Sequence, residues 1–264
     1  MALSVIAGAR NDLVAGLELD RQHLALQREI GNRRGEAIAH ANLGTGWLVL
    51  GDVGRALPHL HESLRLARSN GDRQGQCGPL ADLSCVALWR GDGEEALALA
   101  RSALHAARSA QARDWLPNAL CRRGRAELLL SRPAEADESF AQALAAATAI
   151  DSPWQHHAMA GLGAAALARD DIGAAMAWVE RLLVLPTTDA RWIDLACHRV
   201  LTRAGDARAA AVLRRAHESL QATAATIADA ALRRSFAEEI PEHREIEAAW
   251  AASRDGGAPE APPV

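Results

Sequence analysis

Gly51–Leu57 reads GDVGRAL and Gly91–Leu97 reads GDGEEAL, two copies of one turn forty positions apart. A second pair of turns keeps the same step, GNRRGEA from Gly31 and GDRQGQC from Gly71. The first slot returns as SRPAEAD from Ser131 and, after a step of 39, as DDIGAAM from Asp170. Self-similarity at a fixed period between 20 and 50 residues marks a solenoid, in which each unit buries its apolar face only against its neighbours. The question such a chain poses is what the stack holds.

Each unit reads as two helices. Ala37, Ala41, Leu43, Trp47, Leu48 and Leu50 recur at helical spacing from about Arg33 to Leu50. Gly51 ends that run and Asp52 is placed to cap the next helix, which Ala56, Leu57, Leu60, Leu64 and Ala67 carry to about Ser69. Asn70-Gly71 breaks it and the pattern restarts. Period-two alternation is absent, so the fold class expected is all-α: a right-handed superhelical solenoid of antiparallel helix pairs with a C-terminal capping helix. The expected divisions are an incomplete N-terminal repeat over 1–30, the solenoid over 31–226, capping helices over 227–253 and a disordered tail over 254–264.

The pattern resembles the tetratricopeptide repeat (TPR). Leu43-Gly44 with Trp47 matches the first-helix signature of that family, as do Gly124 and Leu162-Gly163. The small residue where paired helices cross reads Ala56, Ala96, Ala136, Ala175 and Ala210. Later leucines recur as Leu64, Leu104, Leu144 and Leu183. Departures are Ser84 at the glycine position of unit two and Cys197-His198 for Leu-Gly in unit five. Units of about forty residues are similar to TPR regions of bacterial signal-transduction regulators and polarity adaptors.

Composition narrows function. All 29 basic residues are arginine, yet the net charge is −4 and arginines alternate with acids, which argues against a nucleic-acid surface. Cys77, Cys85, Cys121 and Cys197 lie far apart without ligand spacing, and a cytoplasmic protein with reduced thiols is expected. No membrane span, metal site or cofactor is expected, and without lysine no GxxxxGK[ST] loop exists. His59-Leu60-His61 places its imidazoles on different helix faces, which disfavours a metal site. The expectation is a non-catalytic protein.

The two ends read differently. Asn11–Asn32 aligns with the second helix of a unit, so the stack begins mid-unit and exposes an apolar edge of Leu3, Val5, Ile6 and the Leu13/Leu17 face. Either a partner covers that edge, a second copy included, or the chain is a piece of a longer protein; the piece is favoured here. At the other end, Arg233, Arg234, Glu238, Glu239 and Glu242 supply the polar face of a cap broken at Pro241, with a last helix ending near Ala251. The string LRRSFAEEIPEHREIEAAW is similar to the tails of bacterial multidomain regulators, in which a nucleotide cyclase or DNA-binding domain and a STAND-type or AAA ATPase precede TPR units.

In TPR proteins the first helices line the concave face, and their sixth position often contacts bound peptide. By that resemblance the groove reads Asn42, Asp82, Arg122 and Gly161, with Thr45, Cys85, Arg125 and Ala164 three residues on; Asn118 and His157 add polar lining. Two arginines suit a carboxylate, and the small residues around them leave room for a peptide. The same row also reads as solvated groove polars without a ligand. The partner expected is a protein or peptide, or another domain of a longer parent. A small-molecule sensor with a closed pocket between units, and a self-associating adaptor, are the alternatives. Trp115 and Trp154 open equivalent first helices and are expected to pack between units.

Overall fold

The computed structural model describes residues 13–185 and 191–255, and among these it holds thirteen α-helices. They are α1 (Leu13–Glu29), α2 (Arg33–Val49), α3 (Val53–Ser69), α4 (Cys77–Trp89), α5 (Gly93–Ser109), α6 (Leu116–Leu129) and α7 (Pro133–Thr148). They continue as α8 (Trp154–Ala168), α9 (Ile172–Leu183), α10 (Arg191–Ala204), α11 (Arg208–Thr226), α12 (Ala230–Glu238) and α13 (Pro241–Asp255). Sequential antiparallel pairs α2/α3, α4/α5, α6/α7, α8/α9 and α10/α11 form a TPR-like solenoid, as the forty-residue period predicts. The first helix of each pair also packs on the first helix of the next, so α2, α4, α6, α8 and α10 form one continuous inner layer.

The turns explain the rhythm. A left-handed residue closes one helix about every twenty positions: Gly31, Gly51, Gly71, Gly91 and Gly205, with Gln111, Ser131, Asp151 and Asp170 in the same role. Only glycine takes that conformation without a Cβ penalty. The next residue then caps the following helix. Asp52, Asp92 and Asp171 each accept from the N–H three residues on, at 2.9, 3.0 and 2.9 Å. Where Arg132 replaces the aspartate no side chain caps the helix, and Pro133 at the first helical position starts it with a helical φ and no N–H of its own to leave unpaired.

Paired helices meet closely because small residues face each other. Ala56, Ala96, Ala136 and Ala175 are fully buried. A Cβ on Gly44 would lie 2.4 Å from Leu60 Cδ2, so the approach of α2 and α3 requires glycine. Ser84 keeps the register another way: its Oγ donates to the Ala96 carbonyl at 2.8 Å. The fifth crossing residue is not the expected Ala210, which is exposed. His198 Nδ1 instead donates to the carbonyl of Ala209, eleven residues on rather than twelve. The turn is tighter there: Asp206 accepts from the N–H of Arg208, two residues on.

Two further expectations change. Leu17 is buried among Leu43, Trp47 and their neighbours rather than forming an open edge, while Val14, Leu26 and Ile30 are exposed. Met1–Asp12, including Leu3, Val5 and Ile6, lies outside the described residues. At the other end α13 runs to Asp255, past the expected end near Ala251, and Gly256–Val264 lies outside the described residues. Arg233, Arg234, Glu238 and Glu239 do face solvent, but Glu242 does not. The helices α12 and α13 place Leu232, Phe236, Ile240 and Ile246 in the same core cluster as Leu17, Leu48 and Leu120. They lie against the solenoid's interior as well as its end.

Candidate functional site

All five inner-layer helices contribute to one cavity of about 240 Å³. Packed helices lie about 8–10 Å apart, so five in a straight row would span about 40 Å. A single small cavity reaches all of them because the row curves around it. Thr45, Leu48 and Val49 come from α2; Asp82, Cys85 and Trp89 from α4; Cys121, Arg122 and Arg125 from α6. Trp154 and His157 come from α8, and Arg191 and Trp192 from α10. The remaining wall is Ile240, Glu242 and His243, at the junction of α12 and α13.

That junction is a tight corner with local causes. Pro241 starts α13, where its missing N–H costs nothing. His243, buried against Phe236 with ring centroids 4.5 Å apart, hydrogen-bonds through Nδ1 to the Phe236 carbonyl at 2.7 Å. The corner is pinned across the stack by Gly51. A Cβ at that residue would lie 2.5 Å from the Ser235 carbonyl oxygen, and its φ of +76° already selects glycine.

The polar side of the cavity is a charge cluster. Thr45 Oγ1 donates to Asp82 Oδ2 at 2.5 Å. Burial pushes the Asp82 carboxyl up from its usual range, against the Thr45 hydrogen bond and the Arg122 charge. Burial opposes the charge of Arg122, but the neighbouring Asp82 and Glu242 carboxyl groups favour it, and the guanidinium stays cationic. Arg125 is ion-paired to Glu242, with both side chains largely buried. Burial alone would raise the Glu242 carboxyl, yet Arg125, the residue's own backbone N–H and Arg122 hold it below the usual range. The thiols are spectators: burial raises Cys85 and pushes Cys121 up to about 12, which keeps both protonated.

The opposite side is a layered stack. Trp154 and His157 are tilted at 4.7 Å, His157 and Trp192 lie parallel at 6.0 Å, and the Arg125 guanidinium sits 5.1 Å from the Trp192 ring centroid. Arg125 therefore belongs to both sides: its charge meets Glu242 and its plane extends the aromatic wall.

Hydrogen-bonding capacity in the cluster is incompletely used. Arg122 Nε, Asn118 Oδ1 and Glu242 Oε2 are buried and have no hydrogen-bond partner among the described residues. A buried polar atom left without a partner costs about 1–3 kcal/mol, so these three, two on the cavity lining and Asn118 one turn away on α6, oppose folding. Arg122 and Arg125 face two carboxylates, Asp82 and Glu242, across the cavity.

The structure brings Thr45, Asp82, Arg122, Arg125 and His157 to this one cavity. Asn118 lies one turn before Arg122 on α6, outside the lining. Asn42 is turned elsewhere: its Nδ2 donates to Asp20 Oδ1 of α1 at 3.2 Å, so the contact between α1 and α2 consumes it. The period missed Trp89, Trp192, Ile240, Glu242 and His243. For the last three a signal existed: Phe236, Ile240 and Ile246 are more apolar surface than an exposed cap needs. Trp115 packs between units as expected, its ring 3.0 Å from where a Gly78 Cβ would lie, whereas Trp154 lines the cavity. Among the described residues no group of three or more His, Cys, Asp or Glu is arranged to hold a metal, and no helix is long and apolar enough to cross a membrane.

No protein-family model matches the sequence, and neither does any curated protein. Solved structures do match the fold. A Rap protein complexed with Competence and Sporulation Factor aligns over 95% of this chain and 74% of its own, at 14% identity and a TM-score of 0.67. The apo form of RapI aligns over 96% and 74%, at 9% identity and a TM-score of 0.63. BtubC from P. vanneervenii aligns over 96% of both chains, at 16% identity and a TM-score of 0.60. At these identities the likeness is one of fold: the chain is a TPR-like α-solenoid.

Proposed function

We propose that this chain is a binding module that holds a short peptide or partner segment in its inner cavity. The observation that carries the reading is the half-buried Arg122, whose Nε is buried without a hydrogen-bond partner among the described residues, beside an aromatic wall. Such a group opposes folding and contributes when an anionic partner supplies the missing acceptor. Trp154 and Trp192 offer apolar area to the same occupant. The fold likeness to a Rap protein complexed with Competence and Sporulation Factor supports a ligand-holding role. The resemblance of the C-terminal string to the tails of bacterial signalling and transcriptional regulators supports placing the module in such a protein, where the held segment is a partner's or another domain's.

The test is an array of synthetic heptapeptides probed with the full chain and with Arg122→Glu/Arg125→Glu. Selective capture by the parent chain that the double variant loses, with an unchanged circular dichroism spectrum, is the expected result. Identical capture by both chains would remove the cavity from the binding role.

One observation favours a small-molecule effector as the second reading. The cavity has protein on both sides, five helices on one and Ile240–His243 on the other. That reading predicts a thermal shift with one metabolite and none with peptides.

A further inference from the structure

Ile240, Glu242 and His243 sit against the cavity as a ligand would. They present an aliphatic side chain, a carboxylate and an imidazole from one turn, and they are far in sequence from every other cavity wall except α10. The seating is partial. Glu242 meets Arg125 through Oε1 only; its Oε2 is buried without a partner, and so is the Arg122 Nε. A carboxylate bridging both guanidiniums would use all of these groups, and the resident one does not.

The two terminal helices are held mainly by apolar burial, with Phe236 and Ile246 fully buried, and their polar attachment outside the cavity is weak. Around the Phe236 and Ile246 contacts, their polar links outside the cavity include Arg199–Glu245 and Gln221–Glu247, both solvent-exposed. Exposed pairs of this kind contribute about 0–1 kcal/mol. The joint between α11 and α12 is short, and Ile227 there is extended with ψ of 102°. An occupant of the cavity and the Ile240–His243 corner need the same space and the same Arg125.

Resting on the binding role above, we propose that Ile240–His243 is a resident internal ligand, and that the partner taken by this cavity is a peptide segment of the same chemistry. That segment carries an aliphatic residue two positions before a Glu or Asp. Binding it displaces the α12–α13 corner and so couples occupancy of the cavity to the position of the C-terminal helices. An attached segment competes at an effective concentration of the order of millimolar, so the parent chain takes a free peptide weakly.

The experiment uses the full chain and a fluorescent peptide of residues 238–247, EEIPEHREIE, followed by anisotropy. Glu242→Gln in the chain weakens the internal ligand, and the peptide should then bind at least ~10-fold tighter than to the parent chain. The peptide carrying Gln at its Glu242 equivalent should bind neither chain, and adding Arg125→Gln should abolish the gain. Ile240→Ala, which loosens the same corner without touching a charge, serves if Glu242→Gln fails to fold. Equal affinity of parent and variant chains, equal affinity for the Glu and Gln peptides, or no binding to any chain would overturn the proposal. Heptapeptides of other chemistry captured through Arg122, with this peptide bound by neither chain, would leave the binding role standing and remove the internal ligand alone.

Discussion

The seams between paired helices and the inner cavity are built by opposite rules. At the seams, Ala56, Ala96, Ala136 and Ala175 are fully buried, and the polar groups among them are paired, as Ser84 is to the Ala96 carbonyl. At the cavity, charged groups are withdrawn from water with donors and acceptors still unspent. A solenoid's stability is a sum over units and their interfaces, so it resides in the seams. The cavity is a local cost that the seams offset, which is the usual relation between a scaffold and a site.

The comparison predicts unequal responses. The largest loss should come at a seam. Phe140 is fully buried and its ring lies where a Gly161 Cβ would be, only 2.2 Å away. Phe140→Ala should cost about 3–5 kcal/mol, read from the urea midpoint. A loss under about 1 kcal/mol would mean the seams are not where stability resides.

Gly51→Ala tests the link between seam and cavity. It forces a Cβ into the left-handed conformation and against the Ser235 carbonyl, for a cost of about 1–3 kcal/mol. Hydrogen exchange should quicken in α12 and α13 more than in α5–α7; uniform change would deny that Gly51 pins the corner.

Acid should act on the cavity and on the first seam in different pH ranges. The Glu242 carboxyl is held below its usual range by Arg125, so its contribution is complete above the unfolded value and is lost as pH falls through the folded one. Exchange in α13 should therefore rise below about pH 4, and Glu242→Gln should remove that dependence. A second acid response lies in the first helical pair, where His40 Nδ1 and His59 Nδ1 are 2.8 Å apart and burial lowers both pKa values. There the unfolded state binds more protons, so stability falls as pH drops below the ordinary histidine value. His59→Leu should flatten that slope.

The smallest effect belongs to the turns. Ser131 holds the left-handed slot at a φ of 57°. Ser131→Gly should raise stability by roughly 0.5–1 kcal/mol, with the gain seen in the α6/α7 pair. No gain would mean that the serine side chain stabilises the turn it strains.

Most of the stack was legible because its causes are local. Gly51 and Asp52 act within a few residues of themselves, and Ala56 reports the spacing of two adjacent helices. The cavity was legible only where it follows the repeat: Asp82, Arg122 and Arg125 share a register, and the structure brings them together. Asn42 shares that register and points away, because Asp20 of the preceding helix is a better-placed acceptor. Glu242 escaped for the opposite reason. It belongs to no repeat, and only tertiary folding sets it beside Arg125, 117 positions away in the chain. The crossing slip from Ala210 to Ala209 depends on which N–H Asp206 caps, a one-residue choice that periodicity does not resolve.

The measurement that bears most directly on this division is a paired one on Asp82→Asn/Arg122→Gln. The exchange removes one charge of each sign; Asn matches Asp in shape, and Gln leaves a shorter, neutral polar side chain at Arg122. Urea unfolding should shift by less than about 1 kcal/mol or rise, since buried charge pairs are weak contributors to stability. The peptides captured by the parent chain should no longer bind. A chain that loses several kcal/mol of stability while still capturing those peptides would contradict the account, because the charge cluster would then belong to the scaffold and the held segment would lie elsewhere.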